Sequence, residues 1–253
     1  MIFETHGVRL NYEINGEGAE NPILLLHGWG GGRQSWLPVE RDLKGTKTII
    51  NLDFPGFGAS SEPQTGWSVT EYAECVLDLL DSLDIHSVDV IAHSFGGRVT
   101  LLMNAMRPQL IKRQLLTGCA GLIDPSTASS KGLSGIYDNK LTRSLLGEKG
   151  VSKLRDFARS HFGSADYKAA SPIMRETFKK VISQDLEYCL AGINASTLLI
   201  WGENDTATPL WMGKKMEATI KDSALIVFEN SGHFAYLEQY NRFITVAKQF
   251  FGA

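Results

Sequence analysis

Short, mostly apolar runs alternate along this chain with longer segments whose apolar residues recur every three or four positions. Short runs of this kind are typical of buried strands, and the longer periodicity is typical of helices that bury one face. The predicted strands are Thr48–Leu52, Val88–Ile91, a strand ending at Leu115–Gly118, Leu198–Trp201 and Ala224–Phe228. Helical spacing covers residues 34–44, 69–83 and 96–106, and Ser68 with Glu71 is placed as a capping box. The alternation predicts an α/β fold with a mostly parallel, doubly wound sheet.

Two parts of the chain depart from this pattern. Alternating apolar and polar residues in Val8–Ile14 predict an exposed antiparallel edge strand near the start. Between residues 122 and 193 the strand signals disappear, and helical spacing covers residues 144–154, 154–162 and 172–190. We therefore predict one core formed by residues 1–121 and 194–253, with residues 122–193 as a helical insertion.

One serine, Ser94, stands between small residues directly after the predicted strand Val88–Ile91. A strand that turns sharply into a helix needs small side chains two positions before and two positions after the turn residue. Ala92 and Gly96 meet that need. The pattern predicts a nucleophile elbow that presents an exposed Ser94 hydroxyl at a helix N-terminus. Because a serine hydroxyl is a weak nucleophile at neutral pH, the hypothesis requires a base and a group that orients the base.

Both groups occur further along the chain, each on a loop that follows a predicted strand. Asp205 follows Leu198–Trp201 and is the candidate orienting acid, with Glu203 on the same loop as the alternative. His233 follows Ala224–Phe228 and is the candidate base. The chain order serine, aspartate, histidine differs from the orders found in the chymotrypsin and subtilisin folds.

In this order of motifs the chain resembles the α/β-hydrolase superfamily over nearly its whole length. Ile23–Gly30 is similar to that family's oxyanion-hole turn, and Asp53–Ser60 is similar to its glycine-rich loop. The resemblance implies a serine-nucleophile, lidded esterase with its helical lid at residues 122–193 and with no metal or organic cofactor. Ala92 stands where glycine is commonest in the family, and alanine still keeps the side chain small.

The same resemblance assigns supporting residues around the proposed nucleophile. The backbone N–H groups of Trp29 and Phe95 are the expected oxyanion donors. Phe57 and Phe234 are the candidate substrate-pocket residues, with simple packing as their alternative role.

Three charged or titratable residues flank this site. We expect His27 and His93 to brace the surrounding loops by hydrogen bonds. Arg98 lies one helical turn after the proposed nucleophile, where the expectation is a surface or supporting salt bridge.

Composition excludes several classes of partner. The 253 residues, 43% of them hydrophobic, suffice for one globular core, and the net charge of −3 offers no basic surface for nucleic acid. The N-terminal residues lack the basic and apolar regions of a signal peptide, and no segment has the length needed to cross a bilayer. We expect a cytoplasmic protein with no nucleic-acid or membrane partner, and the sequence leaves its oligomeric state open. The wide spacing of Cys75, Cys119 and Cys189 predicts reduced thiols rather than disulfides or a zinc site.

These residues predict a serine carboxylesterase that cleaves small to medium esters through an acyl-enzyme. The alternative is a carbon–carbon bond hydrolase or an elimination enzyme that acts on a carboxylate-bearing metabolite. The elbow Gly96–Arg98 is similar to that of the menaquinone-pathway elimination enzyme, which favours this alternative. Against it, Phe234 follows His233 where ring-fission product hydrolases commonly carry tryptophan. A third hypothesis is a non-catalytic ligand receptor, because some plant hormone receptors resemble lidded α/β-hydrolases.

Overall fold

An eight-stranded sheet forms the centre of the computed structural model, which describes residues 1–18, 21–123 and 170–253. The strands are β1 (Ile2–Thr5), β2 (Val8–Asn15), β3 (Ile23–Leu26), β4 (Ile49–Leu52), β5 (Val88–His93), β6 (Ile111–Thr117), β7 (Ser196–Gly202) and β8 (Ser223–Phe228). Their order across the sheet is β1-β2-β4-β3-β5-β6-β7-β8. The strands from β3 to β8 pair in parallel, which confirms the predicted mostly parallel sheet.

The first two strands are antiparallel, and they correct one prediction. The alternating segment Val8–Ile14 lies in β2, which pairs with both β1 and β4 and is therefore not the edge strand. The edge is β1, joined to β2 by a tight turn in which His6 and Gly7 have φ angles of 48° and 73°. The alternation of β2 therefore reflects one exposed face rather than an exposed edge, because Val8, Leu10 and Tyr12 are buried.

Helices cover both faces of the sheet. They are α1 (Leu37–Leu43), α2 (Val69–Ser82), α3 (Phe95–Met106), α4 (Pro172–Ser183), α5 (Leu210–Thr219), α6 (Ala235–Glu238) and α7 (Tyr240–Phe251), with 3-10 turns at Arg33–Trp36 and Glu187–Gly192. Leu24 and Leu26 of β3 pack with α2, α3 and α5 on one face, whereas Ile23 and Leu25 pack with α1 and α7 on the other. This arrangement confirms the doubly wound α/β architecture. Among the described residues, no helix has both the length and the apolar character to span a membrane.

The predicted start of α2 is confirmed at the level of single hydrogen bonds. The Ser68 amide donates to Glu71 Oε2 over 2.8 Å, and the Ser68 hydroxyl accepts from the Thr70 amide over 3.2 Å. These contacts satisfy backbone donors that the first turn of a helix leaves without partners, so α2 begins at Val69.

The predicted helical insertion is described only at its C-terminal end. The helix expected over 172–190 ends earlier, at Ser183, because Gln184 has extended backbone angles, and a 3-10 turn follows at Glu187–Gly192. The helices expected over 144–154 and 154–162 lie outside the described residues.

Candidate active site

Ser94 occupies a sharp turn between β5 and α3. Its φ of 49° and ψ of −104° lie in a region that residues other than glycine rarely adopt, as expected for an elbow. A Cβ on Gly96 would lie 2.3 Å from the Leu26 carbonyl oxygen, and one on Gly97 would lie 2.5 Å from Cys119 Sγ. The small residues after the turn are therefore required by close packing of α3 against β3 and the loop after β6.

The surrounding structure encloses most of this residue, and 5% of the Ser94 surface is exposed. Its amide donates to the Thr117 carbonyl over 3.1 Å, and its carbonyl accepts from the Ala120 amide over 3.1 Å. On the other side, a Cβ on Gly28 would lie 3.6 Å from Ser94 Cβ. The loops after β3 and β6 thus enclose the residue from two sides.

Asp205 and His233, predicted from separate loops, are in direct contact. His233 Nδ1 lies 2.8 Å from Asp205 Oδ2. The other carboxylate oxygen, Oδ1, accepts from the amides of Ala207 and Thr208 over 2.8 and 2.9 Å. Burial by itself raises the pKa of Asp205, but the hydrogen bonds from His233 and Thr208 outweigh it, so that the pKa lies below its ordinary value. The carboxylate is therefore ionised at neutral pH and accepts the Nδ1 proton of the histidine.

Glu203, the alternative acid, faces elsewhere. It is exposed, and its Oε2 accepts from the Asn230 amide over 3.0 Å. This contact joins the loop after β7 to the loop after β8, so the geometry assigns the histidine to Asp205.

The end of β6 lies between the serine and the histidine. Thr117 bonds the Ser94 amide, and the next residue, Gly118, has a φ of 50°. A Cβ on Gly118 would lie 3.2 Å from His233 Nδ1 and 3.3 Å from Asp205 Oδ2. Sequence reasoning did not single out Gly118, although a glycine at the end of a buried strand is a signal for close approach of another chain segment.

His93 and His27 brace the loops as expected. His93 Nε2 donates to the His233 carbonyl over 3.1 Å, and burial holds the pKa of His93 well below its ordinary value. His27 Nδ1 donates to the Gly28 carbonyl over 2.7 Å, and its Nε2 accepts from the Phe54 amide over 2.9 Å. Burial lowers the pKa of His27 to about 4. Both imidazoles are therefore neutral, and each holds one loop of the site in place.

The turn after β3 lies over the elbow. A hydrogen bond of 3.0 Å from the Gly31 amide to the Gly28 carbonyl closes the turn that contains Trp29. A Cβ on Gly28 would lie 2.6 Å from His93 Nδ1, so the close approach requires glycine. Phe95 is the first residue of α3, and its N–H is one of the amides that a helix leaves without an intrahelical acceptor.

Aromatic rings surround the indole of Trp29. The ring centroids of Phe57, Phe95 and Phe178 lie 4.9, 5.1 and 5.2 Å from it. Phe234 is different, because it is 51% exposed and contacts the ring of His233 at 5.4 Å. Sequence reasoning missed Phe178, since nothing in the helical pattern of 172–190 indicates which ring meets the turn after β3.

Arg98 corrects the salt-bridge expectation. The residue is buried, and its Nη1 donates to the carbonyls of Val181 and Gln184 over 2.7 and 2.6 Å. Burial lowers the pKa of Arg98 to about 10, which still leaves it charged at neutral pH. The guanidinium thus binds the carbonyl end of α4, where a positive charge is favoured.

Further contacts fix α4 to the segment that precedes α2. The Trp67 amide donates to Thr177 Oγ1 over 3.0 Å, and the Val69 amide donates to Gln184 Oε1 over 3.1 Å. Because these bonds join residues more than a hundred positions apart, the described end of the insertion is part of the packed core.

The part of the chain that the structure describes contains no cluster of side chains suited to bind a metal ion. No three histidine, cysteine, aspartate or glutamate side chains lie close enough together there to hold one. Cys75, Cys119 and Cys189 are buried free thiols.

Comparison with known proteins agrees with this architecture. A family profile described as "Alpha/beta hydrolase family" matches residues 23–246. The chain is 25% identical over 265 residues to 2-hydroxy-6-oxo-2,4-heptadienoate hydrolase from Pseudomonas putida, covering 98% of this chain and 94% of the relative. It is 28% identical over 262 residues to 2-hydroxymuconate semialdehyde hydrolase from Pseudomonas putida, covering 96% and 91%. A solved meta-cleavage product hydrolase from Pseudomonas fluorescens has the same fold, with a TM-score of 0.74, 22% identity and coverage of 100% and 97%.

Proposed function

The chain belongs to the alpha/beta hydrolase family, and from this premise we propose that it is a serine hydrolase that cleaves small to medium carboxylic esters. The 2.8 Å contact between His233 Nδ1 and Asp205 Oδ2 carries the proposal. A buried, ionised carboxylate on Nδ1 fixes the tautomer in which Nε2 is free to accept a proton. An elbow serine and an imidazole held in this way are the two groups that nucleophilic acyl transfer requires.

Each residue then has a defined role. Ser94 Oγ attacks the ester carbonyl carbon while His233 Nε2 takes its proton, and Asp205 stabilises the resulting imidazolium. The backbone N–H groups of Trp29 and Phe95 donate to the oxyanion. His233 returns the proton to the departing alcohol, and a water molecule, activated by the same imidazole, hydrolyses the acyl-enzyme.

The apolar side chains around the turn after β3 support the proposed substrate class. The partly exposed rings of Trp29 and Phe57 contact each other next to the proposed oxyanion donors, and Trp29 also packs on the buried rings of Phe95 and Phe178. An acyl chain gains free energy by leaving water for such rings. Phe57 is our candidate for the acyl side of the pocket and the half-exposed Phe234 for its entrance.

A second candidate, a carbon–carbon bond hydrolase, is favoured by the names of the relatives from Pseudomonas putida. Such an enzyme acting on a carboxylate-bearing metabolite needs a cation for that carboxylate. Arg98, whose place in the elbow favours this alternative, is buried, and its Nη1 is bonded to the Val181 and Gln184 carbonyls. Because these two hydrogen bonds already engage the Arg98 guanidinium, we place the ester hydrolase first.

A panel of aryl esters of increasing acyl length, run beside a ring-fission product analogue, tests both candidates. We expect burst kinetics with the esters, since an acyl-enzyme accumulates when deacylation is slow. Turnover of the analogue with no turnover of any ester would replace the first candidate by the second. Binding without turnover of either substrate class, together with no labelling of Ser94 by an organophosphonate, would favour a ligand receptor.

A further inference from the structure

The hydroxyl of Thr208 lies next to the hydrogen bond between Asp205 and His233. Its Oγ1 is 2.8 Å from Asp205 Oδ2, 3.0 Å from the Gly118 carbonyl oxygen and 3.3 Å from His233 Nδ1. Thr208 is only 1% exposed, so water does not compete for these positions. The sequence pattern did not point to this residue, because a threonine before a proline on a loop is an ordinary turn residue.

The hydroxyl has one hydrogen and two acceptors within hydrogen-bond distance, and the shorter distance together with the negative charge favours Asp205 Oδ2 over the Gly118 carbonyl oxygen. Two oxygen atoms 2.8 Å apart repel each other unless a hydrogen lies between them. The Asp205 carboxylate is ionised and supplies none, so the hydrogen is that of the Thr208 hydroxyl. A bond to a charged acceptor is also stronger than one to the neutral Gly118 carbonyl. Asp205 Oδ2 thus accepts two hydrogen bonds, one from His233 and one from Thr208.

We propose that Thr208 is a positioning residue that shares Asp205 Oδ2 with His233 and holds the carboxylate in line with the imidazole. The proposal rests on the proposed function, because it assigns Thr208 a role in the same reaction. Without the hydroxyl, the two backbone amides on Oδ1 still hold one oxygen, while among the described residues Oδ2 keeps the histidine as its one remaining donor. The carboxylate then gains rotational freedom, and its undivided charge stabilises the imidazolium more strongly.

Two other titratable side chains stand near this group. His93 packs on the His233 ring with centroids 4.7 Å apart, and burial keeps it neutral. Glu203 is on the same loop as Thr208 and bonds to the Asn230 amide. Since neither donates to Asp205 Oδ2, neither replaces the Thr208 hydroxyl.

The test compares Thr208→Val, which keeps the side-chain shape and loses the hydroxyl, with Thr208→Ser, which keeps the hydroxyl. Thr206→Val is the matched control, because Thr206 is an exposed residue of the same loop. The first readout is the low-field proton resonance of His233 Nδ1 in the resting protein, assigned by its loss in His233→Gln. The second is the pH profile of kcat and kcat/KM for an aryl ester.

For Thr208→Val we expect kcat to fall about tenfold with KM unchanged, the scale of losing one hydrogen bond to a charged group. We expect the Nδ1 proton to move to lower field and the acid limb of the profile to move to higher pH. Thr208→Ser should restore all three quantities, and Thr206→Val should leave them unchanged.

Equal behaviour of Thr208→Val and Thr206→Val in resonance, kcat and pH profile would overturn the proposal. If Thr208→Val does not fold, Thr208→Ala against Thr208→Ser provides the same comparison. The resonance needs no turnover, so an enzyme inactive on every ester that still shows the Thr208→Val shift keeps the positioning role and loses the proposed function.

Discussion

His233 Nδ1 lies 2.8 Å from Oδ2 of Asp205, although the two residues lie on loops that follow different strands. The Asp205 side chain has no exposed surface, whereas 15% of the His233 side chain is exposed. This asymmetry suits a histidine that exchanges protons with a substrate while its partner acid stays in the interior. It also separates Asp205 from Glu203, whose carboxylate binds a backbone amide at the surface.

We therefore predict that Asp205→Asn is far more damaging than Glu203→Gln. Asparagine keeps the size of the side chain but presents an amide that no longer fixes the imidazole tautomer, so we expect kcat to fall by up to ~10⁴. Glu203→Gln weakens only the bond to the Asn230 amide and should leave kcat near the wild-type value. Steady-state kinetics on one aryl ester makes the comparison, and the reverse ranking would assign the acid to Glu203.

Ser94→Ala should abolish ester turnover and leave the fold intact. Alanine has the same backbone preferences as serine at this strained turn and adds no atom to the enclosed site, so thermal unfolding should change little. The exposed Ser183 offers the matched control Ser183→Ala, which should keep full activity. Turnover near the wild-type level in a folded Ser94→Ala protein would contradict the nucleophile assignment.

The sequence indicated those parts of the site that depend on local pattern. The elbow at Ser94, the acid after β7 and the histidine after β8 are each marked by a strand signal followed by small or polar residues. The contacts of Phe178, Arg98 and Thr208 were not predictable in this way. The contacts of Phe178 and Arg98 join segments that are distant in the chain. The contact of Thr208 depends on which acceptor its hydroxyl reaches. The local spacing of residues contains no information on either.

The same distinction applies to the pairing of β2 and to the enclosure of Ser94. The alternation of β2 reports one exposed face, and it contains no information about whether another strand pairs with its outer edge. The burial of Ser94 comes from the loops after β3 and β6, which approach the elbow only in the folded chain.

The buried His27 should make stability depend on pH. Its pKa is about 4 in the folded protein against 6.5 when unperturbed, so between these values the unfolded chain binds a proton that the folded chain excludes. The free energy of unfolding should therefore fall as the pH decreases from 6.5 to 4, by about 3 kcal/mol from this residue, and no further below.

His27→Gln isolates this contribution. Glutamine accepts a bond from the Phe54 amide and does not titrate, so the variant should be less stable than the wild type above pH 6.5, and the difference should narrow towards pH 4. His86→Gln, at a histidine with 80% of its side chain exposed, is the control. Urea unfolding across the range gives the measurement, and a difference that stays constant with pH would show that His27 does not exclude a proton.

Gly96→Ala sets helix propensity against packing at the elbow. Gly96 is in the first turn of α3, where the helix propensity of alanine favours the variant by at most about 1 kcal/mol. The added Cβ, however, would lie 2.3 Å from the Leu26 carbonyl oxygen, and backbone of a central strand does not move aside cheaply. We expect a net loss of about 2 kcal/mol in the free energy of unfolding and a lower kcat, because Leu26 leads directly into the turn that holds Trp29.

Gly45→Ala, where a Cβ meets nothing within 4 Å, should be neutral or slightly stabilising. Denaturant unfolding decides between the two effects, and a Gly96→Ala protein more stable than the wild type would show that α3 is not packed against β3 as closely as described.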